Sequence, residues 1–111
     1  MPETSFPVEL IEGVPVVTAP EEVDLANAAL LQKALAEAAG PGPALVVVDM
    51  TRTVFCDSTG LNALVAADRR ARAQGGEVRV VVTGESVIRI VELTGVDRVI
   101  PIYASLEDAL G

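Results

Sequence analysis

ALVVVDMTRTVFCDSTGLNALVAADRRARA, residues 44–73, is the stretch that decides the fold. Its first part, residues 44–50, carries Leu45 and Val46 to Val48 without polar alternation, the pattern of a central strand covered on both faces. Its last part places Leu61, Leu64 and Val65 at helical spacing, with Arg69, Arg70 and Arg72 crowding the far end, where cations suit the helix dipole. Between them stand Asp57, Ser58 and Thr59, three residues each able to cap a helix, followed by Gly60. A buried strand leading through a loop into a helix is the unit of a parallel sheet, and sites in such sheets favour the C-terminal ends of strands.

Outward from this unit the chain reads as one domain over residues 1–111. Residues 1–7 (MPETSFP) read as a flexible leader. Val8 to Leu10 or Ile11 and Val14 to Thr18 read as two short strands around a Glu12-Gly13 turn, and Pro15 points to an edge position for the second. Residues 24–39 read as a helix with Asp24 as N-cap and Leu25, Ala28, Leu31 or Gln32, Leu35 and Ala38 or Ala39 at helical spacing, stopped by Gly40-Pro41-Gly42-Pro43. After Gly75-Gly76, Glu77 to Val82 is another buried strand. Ser86 to Leu93 is a short helix closed by Gly95, and Arg98 to Ile102 a short last strand cut by Pro101. Ser105 and Asp108 resemble a capping box that opens a C-terminal helix. The order β-β-α-β-α-β-α-β-α predicts an α/β fold: a mixed, mostly parallel sheet with four helices.

Half of the 111 residues are apolar but only 3% are aromatic, so the core is built from Val, Leu, Ile and Ala. The net charge is −8, and apart from Arg69, Arg70 and Arg72 the cations are scattered, which argues against nucleic acid and anionic membranes as partners. The first 37 residues hold seven acids and one base, Lys33, either a solvated face or an attraction for a basic partner. No stretch has the pattern of a secretory signal or a membrane span, and a cytoplasmic protein is expected. With one cysteine, Cys56, there is no intramolecular disulfide and no cysteine zinc site. With no histidine, Ser-His-Asp and Cys-His catalysis, imidazole bases and histidine metal sites all fall away. No glycine-rich phosphate loop is present. The chain is expected to be no enzyme and to carry no cofactor or metal.

Ser58 therefore has two readings, a helix cap or a site. Residues 56–60 run Cys-Asp-Ser-Thr-Gly and lack the first glycine of the Gly-x-Ser-x-Gly nucleophile elbow. A hydroxyl at a helix start is instead suited to phosphorylation, because the orphan N–H groups and the dipole favour a phosphate there. Gly60 is costly so early in a helix, which points to another backbone approaching closely. Asp49 ends a strand, as the phospho-accepting Asp of a receiver domain does. It lacks the companion carboxylates and the lysine, so it is expected to accept hydrogen bonds in its own loop. Cys56 reads as a small core residue.

The sequence resembles an anti-sigma factor antagonist, a single STAS domain of the bacterial type, from about Val8 to Leu110. The resemblance is carried by VVVDMTRTVFCDSTGL (46–61), GGEVRVV (75–81) and VIRIVELTGVDRVIPIYASLEDAL (87–110). Family members often carry Gly-Glu-Leu-Asp before the first helix, where this chain has Glu21-Glu22-Val23-Asp24. The resemblance implies the STAS fold and a non-enzymatic switch. Ser58 is then the phosphoacceptor of an anti-sigma factor with serine kinase activity. The unphosphorylated form binds that kinase and frees a sigma factor, and a serine phosphatase resets the system. Asp24, Asp57, Ser58, Thr59 and Gly60 form the partner-binding surface, on a monomer or a weak dimer. The alternative that the family offers is a scaffold or adaptor module that works without phosphorylation.

Overall fold

The computed structural model describes residues 6–111. In chain order the elements are β1 (Val8–Ile11), β2 (Val14–Thr18), β3 (Glu22–Val23), α1 (Ala28–Ala39), β4 (Leu45–Met50), β5 (Phe55–Cys56), α2 (Ser58–Ala73), β6 (Glu77–Val82), α3 (Glu85–Thr94), a 3-10 turn (Val96–Arg98), β7 (Ile102–Tyr103) and α4 (Leu106–Leu110). Five strands form one sheet in the order β1-β2-β4-β6-β7. Only β1 runs antiparallel to its neighbour, and the other pairings are parallel. This is the mixed, mostly parallel α/β architecture with four helices that the patterning predicts.

Side chains alternate across the central strands. Val46, Val48 and Met50 of β4 and Val78, Val80 and Val82 of β6 face α1, α2 and α3, where they meet Leu31, Leu35, Leu61, Leu64, Val87 and Val91. Val47 and Val81 face the other way, onto Val16 and onto Ala109 of α4. Both faces are covered, so neither strand can afford polar alternation. Burying each such Val or Leu is worth about 1.5–3 kcal/mol. Arg79, on the α4 face, fastens the C-terminal helix: its guanidinium donates to the Ala109 carbonyl at 2.9 Å and lies 5.7 Å from the centre of the Tyr103 ring. On the other side, buried Asp68 of α2 accepts from Arg72 at 2.8 Å and from the Val78 amide at 3.3 Å, which ties the helix to the start of β6.

Several local expectations change. Of the expected leader, residues 1–5 lie outside the described residues, whereas Phe6 is buried and the Pro7 carbonyl accepts from the Thr18 amide at 2.9 Å. The leader reading therefore does not extend to those two. β2 is no edge strand; it lies between β1 and β4. Pro15 is tolerated because pairing with β4 begins only at Val16. Asp24 caps no helix: α1 begins at Ala28, after a turn closed by hydrogen bonds from the Asn27 and Ala28 amides to the Asp24 carbonyl. Leu25 consequently leaves the inward stripe and is 78% exposed. The last strand is Ile102–Tyr103, and Arg98 instead ends the 3-10 turn. The two-residue ribbon of β3 and β5 was not foreseen, since two residues are too few for any periodicity.

Candidate functional site

Asp57 leaves β5 in an extended conformation and becomes the N-cap of α2. Its carboxylate accepts from the Gly60 amide at 3.0 Å and from the Thr59 hydroxyl at 2.5 Å. The Thr59 hydroxyl foremost, then the Gly60 amide and more weakly the Leu25 and Thr59 amides, hold the Asp57 carboxyl below its ordinary range. The cap is thus complete without Ser58. Among the described residues the Ser58 hydroxyl makes no side-chain hydrogen bond, and Ser58 is exposed as the first residue of α2.

The β3–β5 ribbon determines where this first turn sits. The Asp57 amide donates to the Val23 carbonyl at 3.1 Å, which extends the parallel pairing of Val23 with Cys56. Gly60 lies directly against that ribbon. A Cβ on it would stand 2.8 Å from both the Cys56 Sγ and Val23 Cγ1, and 3.1 Å from the Val23 carbonyl oxygen. Such distances exclude any side chain unless the packed Cys56 and Val23 side chains, or the helix itself, move. The close backbone approach expected at Gly60 is present, and Val23 provides it.

Asp24 stands at the same end of the fold but does not touch Ser58. Its carboxylate accepts from the Ala26 amide at 2.9 Å, and its amide donates to the Asn27 side chain at 2.9 Å. Asn27 in turn donates to the Glu22 carbonyl at 2.8 Å. This closed turn carries Leu25, whose amide faces the Asp57 carboxylate. The structure therefore groups Asp57, Ser58, Thr59 and Gly60 directly, and links Asp24 to them through Leu25.

On the other flank, Ser58, Leu61, Asn62 and Val65 of α2 face Thr94, Gly95, Val96 and Val99 across a shallow groove of about 250 Å³. Exposed apolar side chains surround this end of the molecule: Leu25, Phe55 at 50% and Val99 at 49% exposure. Reading the sequence missed all three, because Leu25 fits a helical stripe and nothing in a sequence marks an apolar residue as uncovered. Cys56 is buried, and its thiol is pushed up to about 11 by that burial and by the Asp57 charge. It is a packed side chain with no thiolate character near neutral pH. Asp49 accepts from the Thr51 amide at 3.0 Å, in its own loop as expected. Among the described residues, no helix is long and apolar enough to cross a membrane.

The model of the STAS domain family matches residues 5–109. The chain is 33% identical over 98 residues to the anti-sigma-F factor antagonist RsfB of Mycobacterium tuberculosis, covering 88% of this chain and 80% of that one. It is 30% identical over 86 residues to the anti-sigma-B factor antagonist of Bacillus subtilis, covering 78% of each. A crystal structure of an anti-sigma factor antagonist from Mycobacterium paratuberculosis superposes with a TM-score of 0.85 at 33% identity, covering 96% of this chain and 90% of that one.

Proposed function

The chain belongs to the STAS domain family, and from that premise we propose that it is an anti-sigma factor antagonist switched by phosphorylation of Ser58. In its unmodified form it binds an anti-sigma factor that is also a serine kinase, and so releases a sigma factor. The kinase transfers the terminal phosphoryl group of ATP to the Ser58 Oγ, which gives up its proton and leaves ADP. A serine phosphatase hydrolyses the ester and restores binding. On this reading the protein is a binding module with no catalytic residue of its own, and works as one domain in the cytoplasm beside the transcription machinery.

The observation that carries the reading is the division of labour in the first turn of α2. Thr59 has its hydroxyl committed to Asp57, and Asp57 is committed to the cap, so Ser58 alone offers an exposed, uncommitted hydroxyl. A phosphate on it, worth about −1.5 to −2 charges, sits at a helix N-terminus that favours anions, so the free fold is preserved. In the complex the same dianion lies beside ionised Asp57 and the anionic nucleotide of the kinase. Unpaired charge at an interface costs about 2–5 kcal/mol, or roughly 30-fold to several-thousand-fold in affinity. Leu25, Phe55 and Val99 supply apolar contact around the hydroxyl. Asp24 contributes by holding the turn that presents Leu25.

The test is incubation with the kinase-active anti-sigma factor and ATP, phosphopeptide mapping, and calorimetric titration of the kinase with both forms. Phosphate on Ser58 and a loss of affinity of at least about 30-fold are expected. Phosphate mainly on Thr59 or Ser86 removes the site assignment. Equal affinities remove the switch and leave a scaffold or adaptor role.

A further inference from the structure

We propose that the outer edge of β1 and the groove beside it pair with a second copy of this chain about a two-fold axis. The proposal does not rest on the function of Ser58, whose groove shares no lining residue with this one.

Among the described residues β1 is an edge strand of the sheet. Its turn to β2 has two residues, so Ile11 and Val14 close it as a hydrogen-bonded pair, and Glu9–Val16 is the next such pair. The bond from the Thr18 amide to the Pro7 carbonyl keeps the same phase. The main-chain donors and acceptors of Val8 and Leu10 therefore point away from β2, towards the open side. Their side chains are 51% and 71% exposed. Beside them Phe6, Val8, Leu30, Lys33, Ala34 and Glu37 line an open groove of about 380 Å³ between β1 and α1. An edge with free main-chain groups and apolar side chains is a template for another strand.

What fits this surface is the surface itself. An antiparallel pairing centred on Val8 sets Val8 against Val8 of the second copy, and Phe6 against its Leu10. It sets Glu9 against Pro7, and so avoids the Glu9–Glu9 opposition of the register one step along. The same axis runs α1 antiparallel to its copy, Lys33 towards Glu37 in both directions. One cation and one anion a helical turn apart are self-complementary under a two-fold, as a closed dimer requires. Their charges cancel within the patch, so that Glu9 is the one uncompensated acid of the paired edge, on a chain whose net charge of −8 otherwise opposes self-association. Three residues of edge and one groove fall at or below the small end of stable interfaces, so the dimer is expected in the micromolar range.

Sedimentation velocity of the full chain from about 5 to 500 μM spans that range. A monomer–dimer equilibrium is expected. Leu10→Lys, at an exposed position, should weaken it by about ten-fold or more. Lys33→Glu and Glu37→Lys should each weaken it, and the double swap should bring it back to within a few-fold. Circular dichroism confirms that each variant is folded. A monomer at every concentration overturns the proposal. So does a dimer indifferent to Leu10→Lys that shows no rescue by the double swap. If a variant lacking residues 1–5 dimerises while the full chain does not, the chain's own start occupies the groove and the proposal falls.

Discussion

Replacing Gly60 by alanine should destabilise the protein through three atoms. The new methyl would stand 2.8 Å from the Cys56 Sγ, 2.8 Å from Val23 Cγ1 and 3.1 Å from the Val23 carbonyl oxygen. Cys56 and Val23 are 4% and 0% exposed, so neither has solvent to move into. Inserting one methylene-sized group into such packing costs about 1–3 kcal/mol. Against this stands the helix-propensity gain of Gly→Ala, at most about 1 kcal/mol and smaller in a first turn. The net expectation is a loss of about 1–2 kcal/mol, read as a lower urea midpoint at unchanged slope. The cause is checked by adding Val23→Ala, which removes one of the obstructing groups. The double variant should lose less than the sum of the two singles, with a coupling of about 0.5–1 kcal/mol or more. A Gly60→Ala protein as stable as the parent, or strictly additive losses, would refute the claim that the ribbon positions the first turn of α2.

Ser58→Ala should change stability by no more than about 0.5 kcal/mol, because Asp57 already completes the cap; urea denaturation checks this, and a larger loss would make Ser58 structural. The depressed carboxyl of Asp57 contributes stability that is present above its unfolded pKa and lost as pH falls through the lower folded one. The parent's stability advantage over Asp57→Asn should therefore shrink as urea midpoints are followed from pH 7 down to about pH 3, and an advantage that grows with acid would contradict the assignment. Native Cys56, with its thiol near 11, should resist iodoacetamide at pH 8 and react promptly only in denaturant, as read by intact mass.

The parts legible in the sequence were those backed by many residues acting together. Val46 to Val48 announce a doubly covered strand, and the Leu61, Leu64, Val65 stripe announces a helix, because in each several neighbouring residues agree. Gly60 was legible as a close approach because glycine in a first turn is a cost that something must explain. The partner at that approach, Val23, was not, since a ribbon of two residues has no period. Leu25 was misplaced for the opposite reason: it agrees with the helical stripe, but Asp24 and Asn27 bond to each other and delay the helix by a turn. Local polar bonds overrode a periodicity that was correct for the residues after Ala28. Pro15 misled because an interior strand paired over only part of its length has room for it.

The self-contained cap at the start of α2 has a consequence for time. Because Asp57, Thr59 and Gly60 satisfy one another without Ser58, the proposed phosphate would be added to, and taken from, a turn that is already finished. On that reading no strained intermediate would be stored on modification and no slow rearrangement would follow its removal. The molecule would keep no memory of having been modified. Its readiness to bind would follow the balance of the proposed kinase and phosphatase from moment to moment, and any delay or hysteresis in the response would come from those enzymes.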